Sequence, residues 1–261
     1  MLVFAAIMPH PPESMPGIGD RASFVALKKT INSFKQLATD LEKADPETII
    51  IISPHAQMEK YAFVINSDIE LKGTLINFGL DKVFAYENNV EMADKISFAS
   101  QMNEDIATRL QAGFLDHGTL IPLFHLAKKI KPKIVHLSFS LMNYERHYRY
   151  GEIIQSVIDG QYFGRVAVIA SADLSHCLNK NAPCGFSKDA TAFDRDVLHY
   201  LGAGDLASLM RIEESETQKI KECGLRSIII LLGILHGKPQ NFKLLSYEAP
   251  FGVGYLTARL L

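Results

Sequence analysis

The sequence predicts an α/β fold: one largely parallel or mixed sheet with helices on both faces, completed by a C-terminal β-hairpin. Three observations predict it. Short runs rich in β-branched residues recur along the chain, and longer stretches with helical periodicity separate them. Two of the runs, TIIII at Thr48–Ile52 and VAVIA at Val166–Ala170, are apolar at every position or nearly so, as in strands covered on both sides by helices. No linker-like stretch, repeat or composition break interrupts the 261 residues, so one domain spanning 1–261 is expected.

The elements follow in order. Leu2–Met8 is apolar, but it lacks a basic leader and meets His10-Pro11-Pro12 too soon for a signal peptide or membrane span, so it reads as a buried first strand. Phe24–Leu41 has helical periodicity and stops ahead of Asp45-Pro46, and Thr48–Ile52 is the next strand. Val90–Leu110 reads as a second long helix. Leu120–Ile130 reads as a third, entered through Asp116-His117-Gly118-Thr119 with Gly118 or Thr119 as its cap. Lys133–Phe139 and Arg165–Ala170 are strands flanking a helix at Tyr144–Ile158 that closes on Asp159-Gly160. Ser227–Leu235 is an interior helix. Asn241–Tyr247 and Gly252–Arg259 form the hairpin, joined at Ala249-Pro250.

Composition narrows the function. With 48% hydrophobic and 21% charged residues the chain is expected to be soluble and globular. Its 27 Lys+Arg balance 29 Asp+Glu, leaving no electrostatic footprint for nucleic acid or an anionic membrane, so neither is expected as a partner. Cys177, Cys184 and Cys223 form no CxxC pair and no even disulfide framework, which predicts a reduced, cytoplasmic protein.

Histidines mark the site. His10, His55 and His176 each fall at or just beyond the carboxyl end of an expected strand, the edge where open α/β sheets build ligand sites. His10 and His55 each follow a proline, which fixes the approach of the loop. His117 fits a structural turn about as well as a site. His125 within a helix, His136 within a strand, and His147, His199 and His236 in expected surface segments carry no site role. Two histidines need a third hard ligand to make the facial arrangement that leaves positions open on Fe(II). Glu222, ahead of the buried run from Ser227, is the first candidate, although a first-turn glutamate also complements a helix dipole. Glu248 and the soft donor Cys223 compete with it, and spacing leaves the three unseparated.

Six motifs together carry a resemblance. Met8-Pro9-His10-Pro11-Pro12, Ser53-Pro54-His55, Asp116-His117-Gly118-Thr119, Ser171-Ala172-Asp173-Leu174-Ser175-His176, Glu222-Cys223-Gly224-Leu225-Arg226 and Pro250-Phe251-Gly252-Val253-Gly254-Tyr255 span nearly the whole chain. In this order they resemble the LigB-like class III extradiol ring-cleavage dioxygenases, including the branch with Memo-like and AmmeMemoRadiSam proteins. The resemblance implies a non-haem Fe(II), replaceable by zinc or copper, held by His10, His55 and Glu222. It implies His176 as the acid/base and His117 as a residue lining the substrate site. A catechol-type aromatic and O2 would be the substrates, both oxygen atoms entering the opened ring, and the chain would form a homo-oligomer. The alternative it implies is a divergent metal-binding accessory or interaction protein. Memo-like relatives carry cysteine where dioxygenases carry glutamate, and a site with Cys223 facing the ion would favour copper or zinc over O2-activating iron. Asp116 or Asp173 is expected to orient the ligand histidines. A zinc hydrolase ranks lower because HExxH is absent.

Overall fold

A computed structural model describes residues 1–103 and 106–261. In chain order the strands are β1 (Leu2–Met8), β2 (Thr48–Ser53), β3 (Phe63–Asn66), β4 (Glu70–Leu75), β5 (Leu80–Glu87), β6 (Thr108–Gln111), β7 (Lys133–Ser138), β8 (Val166–Ser171), β9 (Lys243–Glu248) and β10 (Tyr255–Arg259). Eight of them form one mixed sheet in the order β6-β3-β7-β2-β8-β1-β10-β9, while β4 and β5 pair separately as an antiparallel ribbon. Strand β8 lies parallel to β1 on one side and β2 on the other, with Ile7 opposite Ala170 and Ile51 opposite Ile169. The ends of β1, β2 and β8 therefore open onto the same edge of the sheet. The C-terminal hairpin extends the sheet through an antiparallel pairing of β10 with β1.

Alternation along β2 explains the two helical layers. Ile49 and Ile51 face a core with Phe34 and Leu37 of α2 (Lys28–Ala44), which follows α1 (Arg21–Ala26). Ile50 and Ile52 face the opposite core, covered by α3 (Val90–Gln101), α5 (Tyr144–Gly160), α6 (Lys188–Ala203) and α9 (Leu225–Ile234). Helix α4 (His117–Leu126) joins α2 on the first face, and two short helices, α7 (Leu206–Met210) and α8 (Glu214–Ile220), connect α6 to α9. Both β2 and β8 are buried along their full length, so the α/β fold expected from their apolar runs is the fold observed.

The structure corrects several local expectations. Phe24–Leu41 is broken at Leu27, whose side chain is buried against Val253 and Tyr255. Asp20 caps α1 by accepting the Ser23 N–H, and α2 starts anew. The helix expected over Val90–Leu110 ends at Gln101; residues 104 and 105 lie outside the described residues, and Thr108–Gln111 is an edge strand parallel to β3. Pairing with a neighbouring strand overrides the local pattern there. Cys177 and Cys184, seven positions apart in the chain, are joined in a disulfide with their Cα atoms 5.3 Å apart, which overturns the expectation of three unpaired thiols. Among the described residues no helix is long and apolar enough to cross a membrane.

His147 is the other correction: far from lying on the surface, it is fully buried in α5, edge-on to Phe63. Its Nδ1 meets the Asn143 carbonyl at 2.7 Å, and its Nε2 meets the Ser140 carbonyl at 3.1 Å and the Ser140 N–H at 3.3 Å, so the ring pins the loop after β7. Burial lowers its pKa to about 4. Below pH 6.5 the unfolded chain gains a proton at this residue that the folded chain resists, so folded stability is lost as pH falls toward 4. A His147→Gln variant removes that linkage. Its stability relative to the parent should improve by about 2–3 kcal/mol between pH 8 and pH 4.5, read from urea midpoints. An unchanged difference across that range would contradict the assignment.

Candidate metal centre

Strand β1 delivers His10 into the interior, where 1% of the residue is exposed. Its backbone N–H donates to Asp173 Oδ1 at 2.9 Å, and its Nδ1 lies 2.9 Å from Ser171 Oγ. The Ser171 hydroxyl donates its single proton to the Gly118 carbonyl at 2.5 Å, so it accepts from His10 Nδ1–H. That arrangement leaves the lone pair on His10 Nε2. This atom sits 3.1 Å from His55 Nε2 and 3.6 Å from Cys223 Sγ.

His55 leaves the end of β2 on the loop that Pro54 starts, its N–H directed at Ser53 Oγ. Ser53 in turn donates to Asp116 at 2.6 Å. Asp116 caps α4 by accepting the Thr119 N–H and also meets His136 Nε2 at 3.2 Å. The cap is thus Asp116 and not the expected Gly118 or Thr119. Gly118 is required for close approach: a Cβ there would stand 2.7 Å from Ser53 Oγ and 3.2 Å from His55. His117, first residue of α4, stacks on His55 with ring centroids 4.1 Å apart, and Phe78 from the β4–β5 ribbon leans on His117 at 5.0 Å. His176 donates Nδ1–H to the Leu174 carbonyl at 3.0 Å, which leaves its Nε2 as an acceptor. His176 is close enough to His10, His55 and His117 to couple with them electrostatically.

The third donor is where sequence and structure part. The Glu222 carboxylate folds back to accept the Leu225 N–H at 2.8 Å at the start of α9, and it is absent from the group of converging donor atoms. Cys223 takes that place: one ligand atom each from His10, His55 and Cys223 lies within 4.8 Å of the others. The physical reason is the backbone of this turn. Lys221 adopts a left-handed φ of 56°, and Gly224 presses its backbone against Ala172 and Asp173, where a Cβ would come within 2.6 Å of Ala172 Cβ. Together these direct the thiol at the histidines. Glu248 is engaged elsewhere, accepting from Thr30 N–H and Oγ1–H at 2.7 Å.

Burial dominates the electrostatics. Desolvation and the neighbouring imidazoles push His10 well below its ordinary pKa and bring His55 to about 4; His117 and His176 are lowered too, by desolvation first. Burial raises Asp173 to about 7 and lifts the Cys223 thiol well above its usual value. Burial acts to raise Asp116 as well, but the hydrogen bond and charge of His136 outweigh it and hold the carboxyl low. Neutral imidazoles are ready ligands, whereas an ion must displace the thiol proton. The separations from His10 Nε2, 3.1 Å to His55 Nε2 and 3.6 Å to Cys223 Sγ, suit an ion bound at ~2.0–2.1 Å to nitrogen and ~2.3 Å to sulfur, so the donor set fits a metal. Two imidazoles and a thiolate are a borderline-to-soft set, unlike the two-histidine, one-carboxylate set of O2-activating iron. Beside them opens a cleft of about 570 Å³, lined by His55, His117, Phe78 and Phe114, within the size range of small-molecule sites.

Sequence reasoning assigned no role to Ser171, Ser53 or His136, although Ser53 and Ser171 end their strands and open two of the six motifs. A Ser171→Ala change frees His10 Nδ1 and should lower metal affinity about 10- to 100-fold without unfolding the chain. Metal titration of the variant, with circular dichroism as the control, checks this, and parental affinity would contradict it.

Comparisons with known proteins complete the picture. A curated protein of Clostridium acetobutylicum, Protein CA_C1420, is 31% identical over 265 residues, covering 97% of this chain; the chain spans 56% of that protein's length. A crystal structure of an uncharacterized protein, JW3007, from Escherichia coli K12 superposes with a TM-score of 0.71 over 99% of this chain and 100% of that one, at 17% identity, a likeness of fold alone. The family described as the catalytic LigB subunit of aromatic ring-opening dioxygenase matches residues 4–258, a span that takes in all the histidines gathered at the sheet edge. The chain belongs to the LigB family.

Proposed function

We propose that this chain is a thiolate-ligated metal protein of the LigB family, in which His10, His55 and Cys223 hold a copper- or zinc-class ion. The observation that carries the reading is Cys223 Sγ lying 3.6 Å from His10 Nε2 while the Glu222 carboxylate is committed to Leu225. Such an ion supplies a Lewis-acidic or redox centre at the end of the cleft. The chain's own residues then act around it. His176, whose Nδ1–H is given to the Leu174 carbonyl, accepts a proton at Nε2 from a ligand entering the cleft, and His117 and Phe78 line the space such a ligand would occupy.

The second reading, Fe(II)-dependent extradiol cleavage of a catechol with O2, is favoured by that same His176 tautomer and by a cleft large enough for one aromatic ring. Oxygen uptake separates the two. Protein reconstituted anaerobically with Fe(II) is mixed with a catechol panel while the yellow ring-opened product is followed. The first reading predicts no uptake from protein shown to hold iron, with copper or zinc binding more tightly. Uptake with colour, falling at least ~100-fold in His176→Ala while iron is retained, overturns it in favour of the second.

A further inference from the structure

A second cavity, of about 360 Å³, lies between α2 and α4, with Ser14 of the Pro12–Ser14 turn in its lining. Its walls are apolar: Phe24, Ile31 and Phe34 from one side, Phe124 from the other. His125 belongs to this wall. Its ring packs against Phe34 at 4.8 Å and Phe124 at 5.2 Å. Ser14 Oγ donates to the Pro11 carbonyl at 2.8 Å and therefore accepts from His125 Nε2–H at 3.0 Å. Burial brings His125 to about 3, so the ring is neutral at ordinary pH and contributes no charge to the interior of the cavity.

Charge appears only at the mouth, where Lys35, Lys128 and Lys129 meet a single carboxylate, Glu42. Lys129 pairs with Glu42 at 3.2 Å, and Lys128 lies over the Phe124 ring at 4.6 Å. The mouth is thus left with a net positive charge above an aromatic interior. We propose that this cavity is a binding site for a free, single-chain amphiphile whose apolar tail lies against Phe34 and Phe124 and whose carboxylate meets Lys35 and Lys128. Burying the tail supplies most of the affinity, and the lysines select the head group. The proposal stands independently of the identity of the metal, since no residue of the cavity belongs to the centre described above.

The test is calorimetric titration of the full chain with decanoate, decanol and decylammonium. Saturable binding of one decanoate is expected, with decanol about 5- to 10-fold weaker and decylammonium weaker still, as two partly solvated ion pairs would give. Ala38→Phe, which fills the cavity, should abolish decanoate binding. Lys35→Glu combined with Lys128→Glu, both exposed positions, should weaken it at least ~10-fold, and both variants should keep the parental metal content. If Ala38→Phe fails to fold, the lysine variant decides. Absence of saturable decanoate binding, equal affinity for the neutral or cationic chain, or parental decanoate affinity in the lysine variant overturns the proposal.

Discussion

Replacing Cys223 by alanine is expected to weaken binding of zinc or copper by more than ~100-fold, whereas Glu222→Gln leaves it within a few-fold of the parent. The first figure follows from removing one of three donors, since disturbing a mere orienting partner of a ligand already costs 10- to 100-fold. The second follows from geometry. Glu222 Oε2 accepts the Leu225 N–H, and a glutamine carbonyl accepts the same bond. Elemental analysis of purified variants, followed by competition titration with a chelator, reads both effects. Metal retained in Cys223→Ala and lost from Glu222→Gln would restore the carboxylate as the third ligand.

Gly151→Ala is expected to destabilise the fold by about 2–3 kcal/mol, lowering Tm by roughly 5–10 °C. Helices α5 and α9 cross at Gly151 and Gly233, whose Cα atoms face each other without side chains between them. A Cβ on Gly151 would meet the Ile230 carbonyl oxygen at 2.2 Å and Gly233 Cα at 2.8 Å. Backbone atoms have no alternative rotamer, so the helices must separate, and the gain in helix propensity offsets only ~1 kcal/mol. Gly202, exposed near the end of α6, is the control: a Cβ there finds only Phe242 Cδ1 at 4.0 Å, so Gly202→Ala should be neutral or stabilising by up to ~1 kcal/mol. Thermal melts of the two variants side by side check this, and equal Tm values would contradict the packing argument.

What could be read from the sequence was what local pattern determines. Thr48–Ile52 and Val166–Ala170 announce strands covered on both faces, and placing His10, His55 and His176 at strand ends is enough to put them on one sheet edge once those strands are neighbours. His147 was misplaced at the surface although the pattern was there to read: Tyr144, His147, Tyr150, Gly151 and Ile154 form a buried stripe at helical spacing. The choice between Glu222 and Cys223 was not. Adjacent residues point in different directions, and which one faces the histidines depends on the left-handed Lys221 and on contact of Gly224 with Ala172, 52 positions earlier in the chain. The same holds for Cys177 and Cys184, brought together by a loop whose path is set by hydrogen bonds to Gly252 and Ile220. Thr108–Gln111 carries no apolar alternation, so only its pairing with β3 reveals a strand.

Cobalt(II) substitution tests the thiolate ligand most directly, because a cobalt–thiolate bond gives an intense near-ultraviolet charge-transfer band that imidazole and carboxylate ligands do not. The parent and Glu222→Gln should both show the band at one equivalent of cobalt, and Cys223→Ser should lose it. A parent without the band, or a band that survives in Cys223→Ser, would contradict a centre built from His10, His55 and Cys223.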